Sequence, residues 1–517
     1  MKSLRSLPQP TAAWLALAVF TFGCNKSLST TETLPPKTTA TNDASAGNWR
    51  MIVLTGPTQI TVAPPAAVTS DAYKAELAAI KTSQANLTDA QKQNIQYWSG
   101  GGVLRWNEVL RELVARYNLP PAPRDNGTYI FPDSNNPFAD PQFPFSNPPY
   151  AARAYSYVSV AQFEALKSAW YYMYLYNRPA PSKVDSGVQS LMPTFDLPSY
   201  PSSDAVLSGV SQAMLQLLFP AAVEEITEKA GAQREAALLS GRASSTDIAA
   251  GLALGRAVAA VFTTRAGADG TGAAIGTKAQ WDAFAAKVAA QGQIPWTSLE
   301  TPPRPPMLPF FGNVKGWAMT PTDIVAERPG PPPSTSSAQM QAELAEVKSY
   351  SDGATRDQIA IANKWSDGAG TYTPPGHWND IAAEYVRDAG FSEVRSARAF
   401  ALLNMAIHDA AVACWETKYY YFNPRPTNLD ASVKTNIGVP NFPAYTSGHS
   451  TFSGAASAVL SYLFPAHATE FDAMKEEASI SRLYGAIHYR SDIEVGKDHG
   501  KRVAGYTVKF AQADGAD

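Results

Sequence analysis

The sequence predicts an all-α protein built from antiparallel helical bundles. Three observations carry this. Apolar residues recur at helical spacing along most of the chain. Alternating, strand-like patterns are few, and the only short strands the pattern allows are near 50–54. The 517 residues are 45% hydrophobic, enough to bury a large core. No internal repeat is visible. Length alone allows two to four domains, or one large helical unit.

In chain order, the first residues read as targeting rather than fold. Lys2 and Arg5 precede the apolar run TAAWLALAVFTFG, which is too short to span a bilayer as a mature helix. Cys24 follows Gly23, as in a bacterial lipoprotein signal, where that cysteine is lipidated. Thr21 and Phe22 depart from the usual leucine and small residue there, and a secretory signal is the alternative. Residues 1–24 are thus expected to be a lipoprotein-type signal. Residues 25–46, rich in Ser, Thr, Pro and Ala, are expected to be a flexible tether. This places the protein outside the cytoplasm, lipid-anchored in a bacterial envelope, or periplasmic or secreted. Any membrane contact would run through the anchor alone, because no later run of 18 apolar residues exists.

Residues 47–333 form an N-terminal helical region. SDAYKAELAAIKTSQ starts on a Ser-Asp cap, and VLRWNEVLRELVARYNLPP stops at Pro120. AARAYSYVSVAQFEALKSAWYYMYLYN reads as a long helix buried on most sides. Three Ala- and Leu-rich helices fit 203–265. The proline-rich stretch 301–333 is either a linker or a belt across a helical surface. Phe310, Phe311 and Trp317 need burial, which favours the belt. Residues 334–517 form a C-terminal helical domain, with helices at 337–350, 355–366, 377–389, 392–418, 448–463, 469–485 and 488–512.

Charged residues make up 17% of the chain and the net charge is −3, so there is no electrostatic case for nucleic acid. Two distant cysteines, Cys24 and Cys414, exclude a disulfide framework and a clustered thiolate metal site.

Three segments interrupt apolar helices with polar groups. In CWETKYYYFNPRPTNL, Lys418 closes a helix and Arg425 precedes Pro426. Each has an ordinary structural reading, as a helix C-terminal cation or a surface arginine. In NFPAYTSGHSTFSGAASAVL, Thr446 or Ser447 caps a helix starting near Gly448, whose free amides favour an anion. His449 falls in its first turn. In ISRLYGAIHYRSDIEVG, His488 and Asp492 are four apart and share a face on a continuous helix. Asp492 then accepts the Nδ1 proton of His488 and leaves Nε2 free. Together these segments supply three cations (Lys418, Arg425, Arg482), a helix start at Ser447–Gly448 and two histidines. That set suits a tetrahedral oxyanion, with one histidine as nucleophile and the other as proton donor.

The order K-x6-R-P, P-x3-S-G-H, S-R-x5-H-x3-D resembles the signature shared by type 2 phosphatidic-acid phosphatases, class A acid phosphatases and vanadium-dependent haloperoxidases. It is filled by Lys418, Arg425, Pro426, Pro443, Ser447, Gly448, His449, Ser481, Arg482, His488 and Asp492. The resemblance implies a helical fold of the haloperoxidase and acid phosphatase type. It implies that Lys418, Arg425, Ser447, Gly448 and Arg482 bind the oxyanion, and that His449 is the acid or base. His488 would be the vanadium ligand of a haloperoxidase, with hydrogen peroxide and halide as substrates. Alternatively it would be the phosphohistidine nucleophile of a cofactor-free phosphatase acting on a phosphate ester. A third reading is a non-catalytic oxyanion-binding envelope protein. Length and the long helical N-terminal half favour the haloperoxidase branch, as do Trp415 and Phe442 if they border a halide. NPRP lacks the Trp that often precedes Arg-Pro there. His408-Asp409 reads as core or as support for His449 or Lys418. His377 reads as a helix-start residue, and His467 and His499 as surface residues. Asp357 and Asp367 are both candidates to reach His449.

Overall fold

In the computed structural model, residues 34–130, 145–193 and 196–516 are described. Fifteen helices of nine residues or more lie among them. They are α1 Asp71–Ala85, α2 Asp89–Ser99, α3 Gly102–Tyr117, α4 Pro148–Tyr176, α5 Ser203–Leu218, α6 Val223–Leu239, α7 Ser245–Gly267, α8 Lys278–Ala290, α9 Ala338–Gly353, α10 Arg356–Lys364, α11 Thr373–Asp388, α12 Glu393–Tyr421, α13 Gly448–Leu463, α14 Ala468–Tyr484 and α15 Arg490–Ala511. No strand occurs among the described residues. Near 50–54 the backbone N–H groups of Ile52, Val53 and Leu54 meet the buried Glu164 carboxylate at 2.9, 3.2 and 2.9 Å. A side chain has taken the place of a partner strand.

The helix order contains a repeat that the sequence does not show. Helices α1–α7 and α9–α15 follow one another with closely matched lengths: 15, 11, 16, 29, 16, 17 and 23 residues against 16, 9, 16, 29, 16, 17 and 22. From α4 and α12 onward the two copies stay in step at a separation of 245 residues (393 − 148). Arg153 binds Asp269 through Nε at 2.7 Å, and the Ala266 carbonyl through Nη2 at 3.0 Å. Arg398 binds Asp514 and the Ala511 carbonyl at the same positions and the same two distances. The helices after these locks approach closely, and glycine permits it. A Cβ on Gly255 would meet the Val206 carbonyl at 2.3 Å, and one on the equivalent Gly500 would meet the Thr451 carbonyl at 1.9 Å. Outside such positions the copies have drifted apart, which is why no sequence period is visible.

The long helices α4 and α12 pack together at the centre, where the equivalent Ser159 and Asn404 meet at 2.9 Å. Contacts are exchanged reciprocally. Arg50 N–H donates to the Asp514 carbonyl, and Lys315 N–H to that of Asp269. One buried apolar cluster runs through helices of both copies. By length and composition α7 is apolar enough to cross a membrane, yet Gly251 and Gly255 press it against α5.

The proline-rich stretch is a belt. Phe311 is fully buried, and the N–H groups of Trp317, Ala318 and Met319 converge on Asp409 at 2.7, 2.8 and 3.2 Å. His408 faces the Lys315 carbonyl and the rings of Phe311 and Trp317. The His408-Asp409 pair therefore fastens the belt and supports neither His449 nor Lys418. Two further expectations need correction. His499 is fully buried, with neither ring nitrogen bonded to protein. Within the expected tether, the described part from Leu34 is docked: Lys37 is buried and pairs with Glu393 at 2.9 Å and Ser396 at 2.8 Å. The signal and Cys24 lie outside the described residues.

Candidate active site

Four segments of the second copy converge on one buried spot: the C-terminal turn of α12, the loop 422–426, the start of α13 and the turn between α14 and α15. Lys418, Arg425, Ser447, Arg482, His488 and Asp492 are at most 2% exposed. His449 keeps 15% of its side-chain surface.

Ser447 is the N-cap of α13 and its hydroxyl accepts from Ser450 N–H at 3.4 Å. Gly448 and His449 occupy the first two helical positions, so their amides have no helical carbonyl to meet. A Cβ on Gly448 would meet no protein atom closer than 3.8 Å. Packing therefore does not demand glycine there; its missing side chain leaves room above the free amides.

His488 and Asp492 do not share a continuous helix. His488 lies in the turn before α15, and Asp492 is the third residue of that helix, where its carboxylate also accepts the Tyr489 N–H at 3.0 Å. The expected pair forms all the same, with Nδ1 to Oδ2 at 2.8 Å. Arg425 Nη1 stands 2.9 Å from His488 Nε2. A guanidinium only donates, so Nε2 carries the lone pair and Nδ1 the proton. Burial, then Arg425, Lys418 and Arg482, hold His488 well below the usual histidine range, and it is neutral. Burial raises Asp492 to about 7.

Arg425 is held by the Phe442 and Ile487 carbonyls, both at 3.0 Å, while its buried Nη2 has no protein partner. Arg482 is anchored through Nη2 to the Trp365 carbonyl at 2.6 Å and the Ala362 carbonyl at 3.2 Å. Lys418 differs from the expected direct oxyanion contact. Its ammonium donates to the Pro443, Ala444 and Thr446 carbonyls at 2.9, 2.9 and 2.5 Å. Burial pulls it down to about 7, but only an ammonium satisfies three acceptors at once. Lys418 thus contributes charge and shapes the 443–446 loop. Trp415 and Phe442 pack with ring centroids 5.0 Å apart, and the Lys418 ammonium sits 5.0 Å from the Phe442 ring.

On the other wall, buried His449 Nε2 has no hydrogen-bond partner and stands 3.9 Å from Asp367. Burial and Arg482 keep His449 well below its ordinary value. Of the two candidate acids, Asp357 is exposed at the start of α10 and Asp367 is the one that arrives. His377 was the partner hidden from sequence reasoning: its Nδ1 sits 3.1 and 3.2 Å from the two Asp367 oxygens. A histidine at a helix start gives no sign of which loop it meets.

The electrostatics set this spot apart. Among the described residues ten lysines and arginines are buried. Lys37, Arg105, Arg153, Lys167, Arg178, Arg304 and Arg398 each have a carboxylate within 4.0 Å. The three without a carboxylate partner are Lys418, Arg425 and Arg482. Burial lowers both arginines to about 10, against the pull of Asp492 on Arg425 and of Asp367 on Arg482, and Arg425 adds to the effect on Arg482. A buried positive excess of this kind is costly until an anion enters.

Comparison with known proteins agrees with this geometry. The PAP2 superfamily model matches residues 398–515. Vanadium chloroperoxidase of Curvularia inaequalis is 28% identical over 187 residues, covering 28% of this chain and 31% of that protein. The chain thus spans about a third of the length of the curated relative it matches. Among solved structures, a bacterial vanadium-dependent iodoperoxidase superposes with a TM-score of 0.55 at 22% identity, covering 78% of this chain and 95% of that one. A bacterial vanadium-dependent chloroperoxidase in its holo form gives 0.50 at 12% identity, covering 70% of this chain and 91% of that one. The resemblance carried by the three motifs holds at the level of superfamily and of helical fold.

Proposed function

We propose that this chain is an enzyme of the vanadium-dependent haloperoxidase type, oxidising halide with hydrogen peroxide at a histidine-bound vanadate. The observation that carries the reading is the cluster of three buried cations without a carboxylate partner, gathered round a neutral histidine whose Nε2 lone pair faces Arg425. The residues fit vanadate. Arg425 has an unpartnered Nη2, the α13 amides are open above Gly448, and His488 Nε2 is a neutral nitrogen ligand. Vanadate, when bound, supplies a Lewis-acidic centre at which peroxide becomes a stronger oxidant of halide. Arg425, Arg482 and the Gly448 amide would hold its oxygens, and Lys418 would add charge from behind the 443–446 loop. Asp492 fixes the His488 ring and its tautomer. His449 takes and returns a proton at Nε2, the atom left bare in the buried wall.

A second reading uses the same groups without a cofactor, and the tautomer of His488 favours it equally. Nε2 would attack the phosphorus of a phosphate ester. The P–N bond forms as the ester P–O bond breaks, His449 protonates the leaving oxygen, and water then cleaves the phosphohistidine. Steady-state assays of vanadate-loaded protein with iodide, bromide and chloride, beside phosphomonoester hydrolysis by the vanadate-free protein, separate the two. Peroxide-dependent halide oxidation is expected, falling at least about a thousand-fold in His488→Ala. Ester hydrolysis without halide oxidation would move the assignment to the second reading. Full activity of either kind in His488→Ala would refute both.

A further inference from the structure

We propose that His377 is a positioning residue for His449: it clamps the Asp367 carboxylate in the place from which that carboxylate meets the acid–base histidine. This rests on the proposed role of His449, but its geometry stands alone. Asp367 sits in the loop after α10 in a left-handed conformation, φ 43°. Its carboxylate is held by His377 Nδ1 at 3.1 and 3.2 Å, and one of its oxygens then faces His449 Nε2 at 3.9 Å. That gap is too long for a hydrogen bond and short enough to become an ion pair when His449 takes a proton.

The clamp is itself held. The His377 ring stacks on Trp365 with centroids 4.3 Å apart at 22°, and Tyr372 meets its edge at 5.9 Å. Trp365 is tied to Glu477 through Nε1 at 2.8 Å, and its carbonyl receives Arg482. One loop thus links the oxyanion arginine, the carboxylate and the clamp. The charged and titratable groups acting on His449 are Arg482 from α14, His377 from α11 and Asp367 from the loop; the Trp365 and Ser366 carbonyls also face it, and the neutral His488 lies across the pocket. His377 in turn faces Asp367 and, at longer range, Glu477.

His377 acts on His449 in two opposed ways, and two variants separate them. His377→Asn keeps a donor near Nδ1 and removes any ring charge. His377→Phe keeps the stack on Trp365 and removes both donor and charge. Ring-proton NMR titration of the five histidines left in either variant reads His449 directly, whatever the reaction. His449 is expected to titrate at least half a pH unit lower in His377→Phe than in His377→Asn, roughly a threefold drop in its proton affinity. The acidic limb of the pH–kcat/KM profile should shift in the same order. Equal titration of His449 in the two variants would overturn the proposal. If His377→Phe does not fold, Asp367→Asn serves: it should lower the His449 titration, and an unchanged curve would overturn the proposal as well. Inactivity of the native enzyme would count against the function and leave the NMR comparison decisive for the clamp.

Discussion

Arg153 and Arg398 hold equivalent places in the two copies of the fold and make the same bonds, to Asp269 and Asp514. Met173 and Lys418 are also equivalent, as are Ala237 and Arg482, Ala243 and His488, and Asp204 and His449, yet these pairs share no chemistry. Asp247 stands where Asp492 does. With no histidine between, it pairs directly with Arg178 at 3.4 Å. Asp204 pairs with Arg242 at 3.5 Å. The first copy therefore balances its buried charge internally, while the second leaves three cations without a carboxylate. The scaffold alone does not make a site. A handful of exchanged side chains sets the second copy apart, by leaving three buried cations with no carboxylate in contact.

The comparison breaks first at the locks. Removing either arginine strands a buried carboxylate, and a loss of about 3–5 kcal/mol is expected for Arg153→Ala and for Arg398→Ala. The second loss should be the larger, because the Tyr157 hydroxyl also donates to Asp269 at 2.9 Å while Leu402 stands at the equivalent place near Asp514. Urea unfolding midpoints test this; a measurable loss in only one variant would mean that the locks are not equivalent.

Acid sharpens the comparison further. His408 and His499 are buried neutral in the second copy, each pulled down to about 3 by burial, where the first copy has Phe163 and Leu254. Their unfolded values are about 6.5. The unfolded chain therefore binds more protons below that pH. The stability is complete above about 6.5 and is lost as pH falls toward 3, at up to about 1.4 kcal/mol per pH unit for each histidine. His408→Phe and His499→Leu should flatten the dependence of the urea midpoint between pH 6.5 and 4. An unchanged slope would place the acid sensitivity elsewhere.

Much of the site was legible in the sequence because its chemistry sits in short motifs: R-P after a helix, S-G-H at a helix start, H-x3-D across a cap. The order of the long helices was legible from apolar spacing. What was hidden depends on contacts between distant segments. Asp409 and Glu164 read as polar interruptions of apolar helices, and only the fold shows each collecting three backbone N–H groups from a non-helical segment distant in sequence. The clamp of His377 on Asp367 needs a loop geometry that no periodicity encodes. The repeat was hidden because its copies keep little beyond the arginine locks, the glycines and the caps, positions where backbone meets backbone.

The central claim is that one oxyanion binds where the second copy leaves its cations without a carboxylate. Isothermal titration of the ligand-free protein with orthovanadate tests it most directly, beside Arg425→Met and Arg242→Met. One vanadate per chain is predicted, with affinity reduced at least about tenfold in Arg425→Met, the loss of one charged donor (~1.5–3 kcal/mol), and unchanged in Arg242→Met. Two equivalents per chain, or equal affinity in Arg425→Met, would contradict the account.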